Sequence, residues 1–176
     1  MPDLWYSIAK DNPPLPLGRP FRFFLTASGD GLGASNHNGN YTVPTDFFYT
    51  STSRFDIHSI VIMVSDAASF GQTDYGAIAS GLLNGITFWV NIPGTGDVRL
   101  LTPDPIKFNY DWYTVTEHVS ITTFSGSAQT LVISFEIMND FGIPLTLFTG
   151  WKFIVRLNDN FTGLLRHTFH LRGTKY

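Results

Sequence analysis

Five histidines, fourteen carboxylates and a run of closely spaced glycines are the groups with the widest chemical reach in this chain. His167 and His170 stand three apart in a stretch that reads as a strand, where odd spacing sends side chains to opposite faces. They could not close on one metal ion. His167 alternates with Leu165, Phe169 and Leu171 and reads as inward-packed, whereas His170 shares a face with Arg166, Thr168 and Arg172. His37, His58 and His118 fall on unrelated segments, and there is no Cys to supply a thiolate, so no metal site is expected. Gly29-x-Gly31-x-Gly33 imitates a phosphate cradle, but such a loop must open a helix and usually carries a Lys. Here Asn36-His37-Asn38-Gly39-Asn40 follows, which reads as a loop, so neither nucleotide nor cofactor is expected.

The carboxylates are Glu117, Glu136 and twelve Asp, of which Asp30, Asp66, Asp97 and Asp104 fall in turn-like sequence. Glycoside hydrolysis needs two carboxylates facing each other across a cleft. Glu136 instead alternates with Phe135 and Ile137, a solvent-facing position. No Ser stands in a strand-turn-helix elbow. Asn158-Asp159-Asn160 and Asp140 offer oxygen ligands without calcium-loop spacing, and read as turn formers that bond local backbone. The expectation is a protein without catalytic residues. Trp89, Tyr110, Trp112 and Tyr113 could stack on sugar rings, though aromatics also fill cores and subunit interfaces. Trp112 and Tyr113 are the candidates for a glycan-binding site.

The elements that would position these groups follow from composition. Charged residues make up 14% of the 176 positions and aromatics 15%, with sixteen Phe and only two Glu, four Lys and two Gln. Long straight side chains that favour helix are scarce; β-branched and aromatic ones that favour a pleated surface abound. Strand patterns recur from Phe21 onward: Phe21/Phe23/Leu25, Asp46 to Tyr49, Ile86 to Ile92, Val98 to Thr102, Val119 to Phe124, Leu131 to Ile137, Leu145 to Phe148, Trp151 to Leu157 and Leu164 to Arg172. Asp56 to Ser65 is apolar at both parities and predicts a strand covered on both faces. Ala77 to Leu83 predicts one or two helical turns, and Asn109 to Tyr113 a short helix or an irregular corner. Eight or nine of these patterns forming short strands, joined by long wandering connections, predict an all-β, jelly-roll-like antiparallel sandwich over residues 21–176.

Residues 1–20 differ. Five of the ten Pro lie there, and Pro13-Pro14-Leu15-Pro16 lacks three amide donors, which predicts an extended arm. The arm also carries Leu4, Trp5, Tyr6, Ile8, Leu15 and Leu17, apolar residues that need a surface to lie on, either the chain's own domain or a neighbouring subunit. The opening Met1 to Tyr6 lacks the basic and apolar regions of a signal peptide, so cytoplasmic synthesis is expected. No apolar run is long enough for a membrane span, and a formal charge of −3 argues against direct nucleic-acid binding.

Four stretches, Asp56-Ile57-His58-Ser59-Ile60-Val61-Ile62-Met63, Leu83-Asn84-Gly85-Ile86, Pro105 to Trp112 and Leu157 to Leu164, resemble segments of tailed-bacteriophage virion structural proteins. Within that group the chain is most similar to small jelly-roll proteins that decorate or cement a capsid. The resemblance implies a non-enzymatic protein on the outer surface of a virion, trimeric, bridging copies of the major capsid protein, with the arm from Leu4 to Leu17 reaching a neighbour. The alternative is the receptor- or glycan-binding head of a fibre or lectin-like module.

Overall fold

The computed structural model describes residues 18–28, 44–70, 74–79, 81–100, 118–123, 129–138, 142–161 and 164–176. Ten strands run through them: β1 (Arg19–Ser28), β2 (Thr45–Thr50), β3 (Phe55–Asp66), β4 (Ile86–Ile92), β5 (Gly96–Leu100), β6 (His118–Thr123), β7 (Gln129–Phe135), β8 (Leu145–Leu147), β9 (Lys152–Leu157) and β10 (Arg166–Lys175). Nine have five residues or more, and β8 is a three-residue strip against the start of β3. All pairings are antiparallel.

The pairings are nested. β1 pairs with β10, β2 with β9, β3 with β7 and β4 with β5, so the chain doubles back on itself about the β4–β5 turn. Successive pairs fall alternately into a six-stranded sheet, β1-β10-β3-β7-β6 with β8 beside β3, and a four-stranded sheet, β2-β9-β4-β5. A double-stranded ribbon rolled in this way is a jelly-roll sandwich. The turn at its fold is Pro93-Gly94-Thr95, closed by Thr95 N–H donating to the Ile92 carbonyl at 2.9 Å, with Gly94 at φ +83°. That conformation suits glycine because it lacks a Cβ.

Phe does much of the spanning between the sheets. Phe47 of β2 lies 6.0 Å from Phe169 of β10, and Phe88 of β4 meets Phe135 of β7 at 5.6 Å, close to edge-on. Tyr49 of β2 packs against both Phe23 of β1 (4.4 Å) and Phe55 of β3 (5.8 Å). Sheets stack about 10 Å apart, a gap that aromatic side chains from opposing strands fill. His167 points into this interior, as its alternation predicts. It is fully buried, stacked on Tyr75 and Phe169 and edge-on to Phe161, and its Nε2 lies 3.2 Å from the Tyr75 hydroxyl. Burial alone pushes the Tyr75 phenol well above its ordinary pKa, so it stays a neutral hydroxyl able to pair with the imidazole.

β3 is covered on both faces, as its composition predicts, and one bulge explains its mixed parity. Against β10, Arg172 pairs with Ser59 but Gly173 pairs with Ile57, leaving His58 as the extra residue. Phe55 and Ile57 therefore face inward before the bulge, and Ile60, Ile62 and Val64 after it; all five are fully buried. Gly173 sits opposite the bulge, where a Cβ would run into the backbone carbonyl of Asp56.

Ala77 to Leu83 is where the local prediction fails. Among the described residues of that stretch, Tyr75 and Ile78 exchange backbone hydrogen bonds (3.0 and 3.1 Å) and form a β-bridge rather than a helical turn. Gly76 adopts φ +59°, and the Asp66 carboxylate accepts from the Ala77 amide, so a long-range partner takes the donor a helix start would leave open.

The bulge generates a test. Gly173→Ala forces either β3 or β10 to shift and is expected to cost about 1–3 kcal/mol, read as a lower denaturant midpoint at unchanged slope. An unchanged midpoint would contradict the close approach at Asp56.

Candidate functional surfaces

The arm residues Leu4, Trp5, Tyr6, Ile8, Leu15 and Leu17, and the glycan candidates Trp112 and Tyr113 with Tyr110, lie outside the described residues. Trp89 is within them, on the outer face of the four-stranded sheet. That face is ordered by register. Asp46, Arg156 and Thr87 form one cross-strand row; Phe48, Ile154, Trp89 and Arg99 form the next; Thr50, Lys152, Asn91 and Asp97 form a third.

Arg156 ties the rows together. Its Nε and Nη2 donate to the two oxygens of Asp46 at 2.7 and 2.8 Å, and Nη2 also reaches Asp97 at 2.8 Å. Its guanidinium lies 4.8 Å from the Trp89 ring centroid, while the Trp89 Nε1–H donates to Thr87 Oγ1 at 2.8 Å. The bonds to Asp46, then to Asp97, raise the Arg156 pKa further, so the cation is permanent. Asp97 is held below the ordinary carboxylate range by the Asn91 amide first and Arg156 next. Phe48 stands on the same face, 54% exposed, with the Lys152 ammonium 5.1 Å from its ring. Trp89 is thus locked from both its polar edge and one face, which suits a rigid surface better than a ring left open for a sugar.

A second surface lies at one end of the sandwich, where the β2–β3, β4–β5 and β7–β9 connections meet. Ser51 N–H donates to the Trp151 carbonyl and Gly150 N–H to the Ser51 carbonyl, both at 2.8 Å, binding two of these connections together. Phe148 projects there, 51% exposed and edge-on to Trp151 at 5.1 Å, and Met138 and Ile143, 43% and 67% exposed, lie earlier on the same β7–β9 connection. Tyr176 belongs to the same end: its amide donates to the Arg54 carbonyl, and the Arg54 guanidinium covers its ring. Large apolar side chains on turns do not contribute to the core and mark a surface that gains from being covered. Their signal in the sequence is Phe141-Gly142-Ile143-Pro144-Leu145-Thr146-Leu147-Phe148, an apolar run through turn residues.

Asp46, Asp56, Asp66, Asp97, Asp159 and Glu136 serve the scaffold. Asp159 accepts from the Asn84 and Gly85 amides while Asn158 Nδ2 donates to the Gly85 carbonyl and Thr87 Oγ1, so the Asn158–Asp159 pair clamps the entry to β4. Asp66 holds the Ala67 and Ala77 amides. Asp56 is nearly buried; burial pushes its pKa up, but the Arg54 fork and the Thr146 hydroxyl outweigh it and leave the pKa lowered. Glu136 accepts from Ser134 Oγ at 2.8 Å. Among the described residues no three of His, Asp or Glu gather as a metal ion would need, and no helix is long and apolar enough to cross a membrane. Comparison with protein-family models, with curated proteins and with solved structures finds no match.

The Arg156 cluster makes a pH prediction. A carboxylate whose folded pKa is lowered adds stability above its ordinary pKa, and that stability is lost as the pH falls through the folded value. Asp97→Asn should therefore cost less than about 1 kcal/mol at pH 7, because the cluster is partly exposed and screened. The deficit should begin to close as the pH falls below the ordinary carboxylate value of about 4 and be gone once it has passed the lower folded value at which wild-type Asp97 takes up its proton. A deficit that persists undiminished in acid would contradict the role given to the charge.

Proposed function

We propose that this chain is a non-enzymatic structural protein of a virion that decorates or cements the capsid by bridging neighbouring capsid subunits, acting as a homotrimer on the outer surface. The observation that carries this reading is the exposure of three large apolar side chains, Met138, Ile143 and Phe148, on the β7–β9 connection of a jelly-roll sandwich. Such side chains gain from burial against another protein. The turn bearing Phe148 is held to the β2–β3 turn through Ser51, and the turn between Met138 and Ile143 is closed by Gly142 N–H donating to the Met138 carbonyl, so docking costs little ordering entropy. The use of Asp46, Asp56, Asp66, Asp97 and Asp159 to hold strands and loops also supports a binding rather than a catalytic role. Repeated copies on a shell would convert modest contacts into tenacious attachment.

Co-sedimentation of the purified chain with virus-like particles tests the reading. The full chain is expected to pellet with particles. Ile143→Ser/Phe148→Ser should weaken that binding by about tenfold or more, as loss of two apolar anchors would. Deleting residues 2–17 should leave a folded domain that no longer pellets. Clear binding on a glycan array with no particle binding would contradict the proposal in favour of a receptor- or glycan-binding head.

A further inference from the structure

The outer face of the six-stranded sheet is closed at a place where its described strands would leave it open. Beyond the bulge Ile60 and Ile62 of β3 point inward, as do His167, Phe169 and Leu171 of β10, so Ser59, Val61 and His170 stand on the opposite face. The four-stranded sheet packs on the inner face, through contacts such as Phe47–Phe169 and Phe88–Phe135, and no described strand crosses the outer one. Yet Ser59 is 3% exposed, Val61 4% and His170 3%, and both ring nitrogens of His170 are buried. The register sets Val61 between His170 and Ser134, and Ser59 beside Arg172. Serines are too small to shield Val61, and Arg172 is itself exposed. The cover thins away from this spot: Met63, Thr168, Val132 and Ser134 are half-buried and Arg166 is exposed.

The start of β1 shows where a cover can come from. Thr174 stands on the outer face, beside Asp56 in the register. Gly18 comes so close to it that a Cβ there would run into Thr174 Cγ2 and the Tyr176 ring. Facing Cβ atoms in a regular antiparallel pair stand about 5 Å apart, so the backbone at Gly18 has left the plane of the sheet and turned onto its outer face. We propose that the arm, residues 1–17, continues from Gly18 across this face of its own sheet and packs Leu15 and Leu17 on Ser59, Val61 and His170. From Thr174 to His170 is about 13 Å at the rise of a strand, which about four residues of polyproline II cover. Pro13, Pro14 and Pro16 have no amide to give a ladder, so this part of the arm lies across side chains. Its carbonyls then offer acceptors to the exposed Arg22 and Arg172, which face each other across β1 and β10. The other long connections start farther off. Residues 29–43 leave β1 at Ser28, which pairs with Arg166 at the opposite end of the sheet, and residues 101–117 return at His118 on β6, three strands from β10. The inference does not rest on the capsid reading: it concerns the free chain, and undocking from this face is the step that would release the arm toward a neighbour.

Because the chain has no Cys, a single nitroxide at Asn12→Cys in the full chain tests the proposal. The amide resonances of Ser59 to Val61 and His170 to Arg172 should broaden, and those of Trp89 and Ile154 on the other sheet should not. In a mixture of labelled chain with isotope-enriched unlabelled chain the broadening should be absent. Diethylpyrocarbonate should modify His170 slowly in the wild type and about tenfold faster or more in Leu15→Asp/Leu17→Asp, while His167 in the core stays protected in both. If His167 reacts as well, the variant has unfolded and the nitroxide reading decides. Sharp resonances at Ser59 and His170, or a His170 rate unchanged by the double substitution, would overturn the proposal. Broadening that persists in the mixture would overturn it in favour of an arm exchanged with a second copy.

Discussion

Everything in this molecule hangs on β10. It pairs along its whole length with β1 on one side and β3 on the other, and it brings the end of the chain beside the first described strand. Closing a ribbon between segments more than a hundred residues apart carries a large loop entropy, offset only if the strand also buries apolar surface. β10 does so through His167, Phe169 and Leu171, which reach the aromatic layer shared with β2 and the Tyr75 turn. With that ladder in place, β2–β9, β3–β7 and β4–β5 are nested inside it.

The low charge then has two explanations that operate together. Inside, Phe and Ile fill a gap too wide for smaller side chains. Outside, the few charges concentrate where they fix geometry. Arg156 on β9 fastens β2 on one side to β5, beyond β4, on the other, and Arg54 with Asp56 fastens the β2–β3 turn to the start of β3. What remains on the surface is unevenly spread, with exposed aromatic and aliphatic groups on turns and the exposed Arg22, Arg166 and Arg172 on the outer face of β1 and β10. Of the described carboxylates, Asp66 and Asp159 accept from backbone amides, while Asp46, Asp56 and Asp97 accept from arginine.

The strands were legible because alternation is a local property. Phe21/Phe23, Phe153/Val155/Leu157 and His167/Phe169/Leu171 announce their inward faces within a few residues. The two-sided cover of β3 was legible as well, but the His58 bulge was not, since it exists only in the register with β10. The Ala77 segment misled for the same reason: Asp66, eleven residues earlier, takes its amide. Surface organisation was least legible. The Arg156 cluster joins residues from four strands separated by up to 110 positions, and no spacing in the sequence foreshadows it. The aromatic candidates Trp112 and Tyr113 and the arm residues drew notice as types, whereas Ile143 and Phe148 matter because the fold leaves them outside.

Native-state amide hydrogen exchange measures the closing ladder most directly. The account predicts that the amides of Phe169 to Leu171 in β10 exchange only through global unfolding, with the same opening free energy as Ile60 to Ile62 in β3. Exchange in β10 at a clearly lower free energy than in β3, as for a frayed terminal strand, would contradict it.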